Sequence, residues 1–251
     1  MKTFVMGDIH GNYKGLLQCL EKSGFNKKED TLIQLGDVAD GWSEVYECVE
    51  ELLSIPNLIV IKGNHDDWAL EMMTYGVHPG LNQGGRATLD SYMKHCYDSE
   101  SYMTDGGIYF PENHVKFFRN QHNYYIDDQN RCFVHGGFNR HFSIKEQQIE
   151  DIYYWDRDLW YSALSFKAMD RGLVESKSYK FKTKDDFKEI FIGHTTTQNW
   201  STTEPMNAAN IWNLDTGSGF NGKLTIMNVD TKEYWQSDYA NVLYSDEKGR
   251  I

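Results

Sequence analysis

The chain has 251 residues, 40% hydrophobic, 25% charged and 14% aromatic, an ordinary globular balance with apolar volume for a sizeable core. Its formal net charge of −12 repels polyanions at long range, so neither a nucleic-acid polymer nor an anionic membrane is an expected partner. The four cysteines (Cys19, Cys48, Cys96 and Cys132) have neither zinc-knuckle nor redox-pair spacing. Met1-Lys2 leads into an apolar run too short for a signal peptide, and no run approaches the ~20 residues of a membrane span. Free thiols in a reducing, cytoplasmic setting are the expectation.

In chain order, short apolar runs end in glycine-containing turns that carry His, Asp or Asn. Thr3–Met6 leads into Gly7-Asp8-Ile9-His10-Gly11, Thr31–Leu35 into Gly36-Asp37, and Leu58–Ile61 into Lys62-Gly63-Asn64-His65-Asp66. These runs read as buried strands by length and β-branched content. Helical patterns over Tyr13–Ser23, Ser43–Leu53 and Asp66–Tyr75 separate or follow them. The alternation predicts parallel strands with right-handed crossovers. Ligands of such sheets bind beyond the carboxyl ends of the strands, where all of these polar turns fall.

Residues 76–121 show helical periodicity at Thr88–His95 and Asn113–Arg119 and read as a helical insertion near the cleft. Tyr124–Ile126 and Arg131–Val134 flank Asp127–Asn130 as a hairpin, and the second run ends in His135-Gly136-Gly137. Ile190–Ile192 leads into Gly193-His194, and Ile211–Leu214 into Asp215-Thr216-Gly217. Leu224–Val229 and Glu233–Trp235 suggest a further hairpin, which makes the second half the more antiparallel one. The last ten residues are polar and read as a frayed end. The expected fold is α/β (α+β), a four-layer α-β-β-α sandwich. It has two mixed sheets, outer helices and a site at the carboxyl ends of the strands, in a single domain over 1–251.

Taken singly, Asp8 reads as a helix cap and His10 as a turn histidine. Taken together, Asp8, His10, Asp37, Asn64, His135 and His194 stand at the ends of five predicted strands. All are oxygen or imidazole donors suited to manganese, iron, zinc or magnesium-like cations. Asp8 and His10 are two apart in a segment read as extended, which turns both side chains to one side. His78, His95, His114, His122 and His141 have no motif around them and read as solvated or structural.

Gly7-Asp8-Ile9-His10-Gly11, Gly36-Asp37-Val38-Ala39-Asp40, Gly63-Asn64-His65-Asp66, His135-Gly136-Gly137 and Gly193-His194 together resemble the motif series of the calcineurin-like metallophosphoesterases. Asn82–Leu89, Trp155-Asp156-Arg157 and Asp215-Thr216-Gly217 resemble one branch of that family. It holds the lambda-phage-type and bacterial serine/threonine protein phosphatases and the symmetrical dinucleoside tetraphosphatases. The resemblance implies that Asp8 and His10 bind a first metal, Asp37 bridges, and Asn64, His135 and His194 complete a second. It implies that His65 gives a proton to the leaving oxygen, oriented by Asp40, whose plainer reading is a turn or cap residue. Lys62 and Arg157 are the implied phosphate-binding cations. The plainer reading of Arg157 is a surface-helix residue paired with Asp156 or Asp158.

The chain departs from that pattern in three places. Asp40 is followed by Gly41-Trp42 where such relatives usually carry Arg-Gly. Lys62, a point charge, stands where protein-phosphatase relatives usually have a bidentate Arg. Gly193-His194-Thr195-Thr196 lacks a second histidine two residues on, which leaves the first metal three protein ligands plus water. The implied function is a two-metal phosphoesterase that attacks a phosphate ester with metal-bound hydroxide. Manganese is the first choice of ion, with iron, zinc, nickel or magnesium as alternatives. A phosphoprotein or small phosphorylated molecule is the first substrate class. A dinucleoside polyphosphate is the alternative, and a catalytically silent metal-binding scaffold the third reading.

Overall fold

The computed structural model describes residues 1–98, 109–170 and 181–250. The first half runs β1 (Thr3–Met6), α1 (Tyr13–Ser23), β2 (Thr31–Gln34), α2 (Val45–Leu53), β3 (Leu58–Val60) and α3 (Asn64–Tyr75). α4 (Gly85–Asp98) and α5 (Glu112–Arg119) follow within the stretch read as an insertion. Next come β4 (Tyr124–Ile126), β5 (Arg131–Val134), α6 (Ile152–Trp155), α7 (Asp158–Asp170) and β6 (Glu189–Ile192). The chain closes with β7 (Met206–Ala208), β8 (Ile211–Asn213), β9 (Thr225–Asn228), β10 (Tyr234–Gln236) and α8 (Ala240–Leu243). Local chemistry sets the helix ends. The Asn12 side chain accepts from the Gly15 amide at the start of α1 (2.9 Å), and Gly24 closes that helix at φ 64°.

Among the described residues, two five-stranded sheets form the centre. The first has the order β10-β9-β1-β2-β3, with β1, β2 and β3 parallel, so that Ile33 lies opposite both Val5 and Ile59. The second has the order β4-β5-β6-β8-β7, parallel at β5, β6 and β8 and antiparallel at both edges. The sequence made the second half the more antiparallel one. Instead, the second sheet has a parallel centre, and the β9–β10 hairpin joins the first sheet beside β1.

β1 explains the layering. Phe4 and Met6 face the outer helices with Leu16, Cys19 and Val49. Val5, between them, faces the second sheet with Ile33, Phe133, Phe191 and Met227. A strand buried on both faces reads as a continuous apolar run, and each large side chain removed from water contributes about 1.5–3 kcal/mol. On the far side Trp160 and Leu159 of α7 pack with Val134, Ile190 and Ile192. The result is the four-layer α-β-β-α sandwich.

The C-terminal segment is not frayed. Tyr244 is buried and stacks on Trp42 with ring centroids 5.0 Å apart, and Glu247 accepts hydrogen bonds from the Ser43 amide and hydroxyl (3.1 and 2.7 Å). Polar composition suggested a loose end; the partner is the indole of Trp42, far away in the chain. Among the described residues no helix is long and apolar enough to cross a membrane.

Candidate metal centre

The site forms where the loops after β1, β2, β3, β5 and β6 meet. His10, Asp37, Asp40 and His194 all take left-handed backbone angles (φ 55°, 55°, 64° and 64°). Asp and His visit this region more readily than most side chains, and such strain persists only where surroundings enforce it. Here the enforcement is mutual. The Ile9 and His10 amides donate to the Asp37 carbonyl, the Gly11 amide to that of Val38, and the Trp42 amide to that of His10. Asp8 and His10 therefore converge through a turn, not through the extended alternation read from sequence. Glycines admit the close approach: a Cβ on Gly63 would lie 2.1 Å from Asp37 Oδ1, and one on Gly193 2.1 Å from Asp8 Oδ1.

Asp66 ties this loop to α3. Its Oδ1 accepts from the Val38 and Ala39 amides (2.8 and 3.0 Å), and its Oδ2 from Gln121 Nε2 (3.0 Å). Burial, then the nearby Asp37 charge, raise the Asp66 carboxyl to about 7. Asp66→Ala should lower unfolding free energy by roughly 2–4 kcal/mol, because buried donors lose their acceptor. Urea denaturation of the purified variant measures that loss.

Asp37 stands at the middle. Its Oδ1 accepts from the His65 amide (2.9 Å). Its Oδ2 lies 3.6 Å from His10 Nε2 on one side and 3.3 Å from His135 Nε2 on the other. Asp8, His10 and Asp37 form one donor group, and Asp37, His135 and His194 a second. Asn64 Oδ1 belongs with the second, 3.3 Å from His135 Nε2 and 2.9 Å from His194 Nδ1. All six predicted ligands are thus brought together.

The donor chemistry fits divalent cations. His10 Nδ1 donates to the Ala39 and Asp40 carbonyls (3.0 and 2.7 Å), and His135 Nδ1 to that of Leu35 (2.7 Å). Each contact occupies Nδ1 and leaves Nε2 as the ring nitrogen available to the cluster. Asp8 Oδ1 and His194 Nε2 are buried without a hydrogen-bond partner, orphans that a cation would satisfy. The buried charges of the cluster act strongly on one another. Burial, then Asp215, push the Asp8 carboxyl well up. Burial alone would raise Asp37 too, but His135 and the neighbouring histidines hold it well below the usual carboxylate range. Burial would lower His135, yet Asp37 lifts it to about 9.

Beside the cluster, His65 Nδ1 donates to Asp40 Oδ2 (2.8 Å), and the His65 ring lies edge-on to His10 at 5.1 Å. Asp40 Oδ1 also accepts from Thr88 Oγ1 (2.6 Å) and His78 Nε2 (3.0 Å). Burial would raise Asp40, but the bonds from His65 and His78 depress it. Of the two readings of His78, solvated or structural, the second describes its place: it is buried on this carboxylate. Nothing local marks it, because the stretch carrying His78 and Thr88 meets Asp40 only through tertiary packing.

The two cations predicted for phosphate binding lie further out. Lys62 Nζ is 3.5 Å from Asp67 and 3.6 Å from Glu150 and faces the Tyr154 ring. Arg157 is exposed and makes no ion pair among the described residues. It lies near enough to His194 to add to the burial and the His135 charge that lower that ring. A third cation, Arg250, sits in the site itself, with Nη1 2.9 Å from His10 Nε2. No motif flagged it.

A two-sheet sandwich with two histidine–carboxylate groups sharing one aspartate defines a metallophosphoesterase-type centre. The model of the calcineurin-like phosphoesterases matches residues 1–201, and the chain belongs to that family, whose members are metal-dependent hydrolases of phosphate esters. It is 24% identical to a symmetrical bis(5'-nucleosyl)-tetraphosphatase of Neisseria meningitidis over 96% of both chains. It is 41% identical to serine/threonine-protein phosphatase 2 of Escherichia coli over 29% of this chain and 33% of that one. A solved structure described as a candidate diadenosine tetraphosphatase superposes with a TM-score of 0.62 at 15% identity, covering 95% of this chain and 94% of the other. That last likeness concerns the fold.

Proposed function

We propose that the chain is a two-metal phosphoesterase that cleaves an accessible phosphate ester on a phosphoprotein or a small molecule. The observation that carries this reading is Asp37 Oδ2, placed between two donor groups and one loop away from the His65–Asp40 pair. Asp8, His10 and Asp37 would hold one cation, and Asp37, Asn64, His135 and His194 the other. When bound, divalent cations supply charge for the phosphoryl oxygens and lower the pKa of water enough to give a nucleophile near neutral pH. Manganese heads the candidates, followed by iron, zinc, nickel and magnesium.

The chain's own residues do the rest. The left-handed turns fix the donors on rigid strand ends, which is the positioning that phosphoryl transfer chiefly needs. Asp40 accepts from His65 Nδ1, which leaves Nε2 to carry the second proton when the ring is an imidazolium. As the nucleophile's oxygen bonds to phosphorus, the bond from phosphorus to the leaving oxygen breaks, and Nε2 gives that oxygen its proton.

A dinucleoside polyphosphate is the second reading, and one observation favours it. Trp155, 39% exposed, lies 5.4 Å from Trp68 and 5.9 Å from His194, while Trp68 lies 4.9 Å from His65 (ring centroids). An exposed indole at the rim offers a stacking face to a base, worth about 1–3 kcal/mol. Phosphopeptide, 4-nitrophenyl phosphate and dinucleoside tetraphosphate, each assayed with manganese, separate the readings. If bases stack here, Trp155→Ala should raise KM for the dinucleotide about tenfold or more and leave the aryl phosphate unchanged. Background rates on all three substrates would favour a silent scaffold.

A further inference from the structure

Among the described residues Arg250 is the one guanidinium that touches the ligand cluster, and its placement is built. The stem runs through a slot between three glycines. A Cβ on Gly219 would lie 3.0 Å from Arg250 Cδ, one on Gly84 3.0 Å from Cγ, and one on Gly41 3.5 Å from Cγ. The Phe220 ring lies 4.8 Å from the guanidinium carbon, and the Arg250 amide donates to the Gly219 carbonyl (2.8 Å). The segment before it is fixed by Tyr244 on Trp42, by Glu247 on Ser43, and by the Ala240 amide on the Gly222 carbonyl (2.8 Å). The Trp42 indole in turn donates to the Ser218 carbonyl (2.7 Å).

Two oddities of the sequence thus become one device. Gly41 leaves the space beside Asp40 open, and Arg250 fills it from the other end of the chain. Trp42 supplies the face on which the C-terminal strap is stacked. The remaining candidate cations are elsewhere: Lys62 is paired with Asp67 and Glu150, and Arg157 is exposed at the rim.

Building on the phosphoesterase reading, we infer that Arg250 is the substrate-binding cation of this site, gripping the phosphoryl oxygens of the ester and of the phosphate product. The Ala39 and Asp40 carbonyls occupy His10 Nδ1 and leave Nε2 beside Asp37 as the nitrogen open to a cation, and guanidinium and cation exclude one another on that lone pair. The slot and the Phe220 ring keep the stem in place, so a guanidinium that yields the lone pair stays at the mouth of the cluster. Its planar fork then matches two phosphoryl oxygens.

The test uses the full chain loaded with manganese and three variants: Arg250→Ala, Arg250→Lys, and Lys248→Ala, an exposed neighbouring cation, as control. Calorimetry measures inorganic phosphate binding, steady-state kinetics with 4-nitrophenyl phosphate gives KM and kcat, and elemental analysis gives metal content. Arg250→Ala should raise the phosphate Kd and KM about 10–100-fold, the worth of a charge-assisted hydrogen-bonded pair. The effect on kcat should be smaller and metal content unchanged. Arg250→Lys should fall between, because a point charge lacks the fork, and Lys248→Ala should match the parent. Unaltered phosphate affinity in Arg250→Ala overturns the inference, as does a change confined to metal content or a parent that binds no phosphate. A parent that binds phosphate but hydrolyses no ester defeats the hydrolase reading alone, and the phosphate comparison still decides the role of Arg250.

Discussion

Asp37→Asn is expected to abolish turnover while leaving a folded protein. Asparagine keeps the shape and an oxygen for the His65 amide, so the loop lattice around residues 36–40 should survive. What is lost is the charge whose Oδ2 lies between His10 and His135. That charge is the one feature shared by both donor groups. Without it neither group keeps a full anionic set, and bound metal should fall from two equivalents toward one or none. Removal of a single oxyanion donor costs about 10²–10³ in kcat; loss of the shared carboxylate should cost about 10³-fold or more, since it weakens both cations at once. Elemental analysis and 4-nitrophenyl phosphate turnover on the same preparation read both effects.

His65→Asn should do the reverse: two metals retained, KM little changed, kcat lower by about 10²–10⁴-fold on esters with poor leaving groups. The distinction follows from geometry. The His65 side chain bonds Asp40 and is not among the metal-ligand groups. A general acid matters most when the leaving oxygen is basic, so the deficit should shrink on 4-nitrophenyl phosphate relative to an alkyl phosphate. An equal deficit on both esters would place His65 in metal or substrate positioning instead.

The strands and their polar turns were legible because β1, β2, β5 and β6 are buried over most of their length, and β3 and β8 in part, so that they read as short apolar runs. Three helices were placed by their apolar spacing alone, with α1 read over Tyr13–Ser23 as it stands. The six candidate ligands were legible because each follows such a run. What the sequence hid came from long-range packing. His78 and Thr88 reach Asp40 by tertiary contact from outside the strand–turn pattern. Arg250 reaches His10 across 240 positions. The second hairpin was recognised, but its sheet was not, because hairpin periodicity carries no information about which sheet edge it joins.

The most direct measurement is an anomalous-scattering map of crystals grown with manganese, collected at the manganese edge. Two peaks about 3.5–4 Å apart, on either side of the Asp37 carboxylate, are the predicted result. A single peak away from Asp37, or none, would contradict the account.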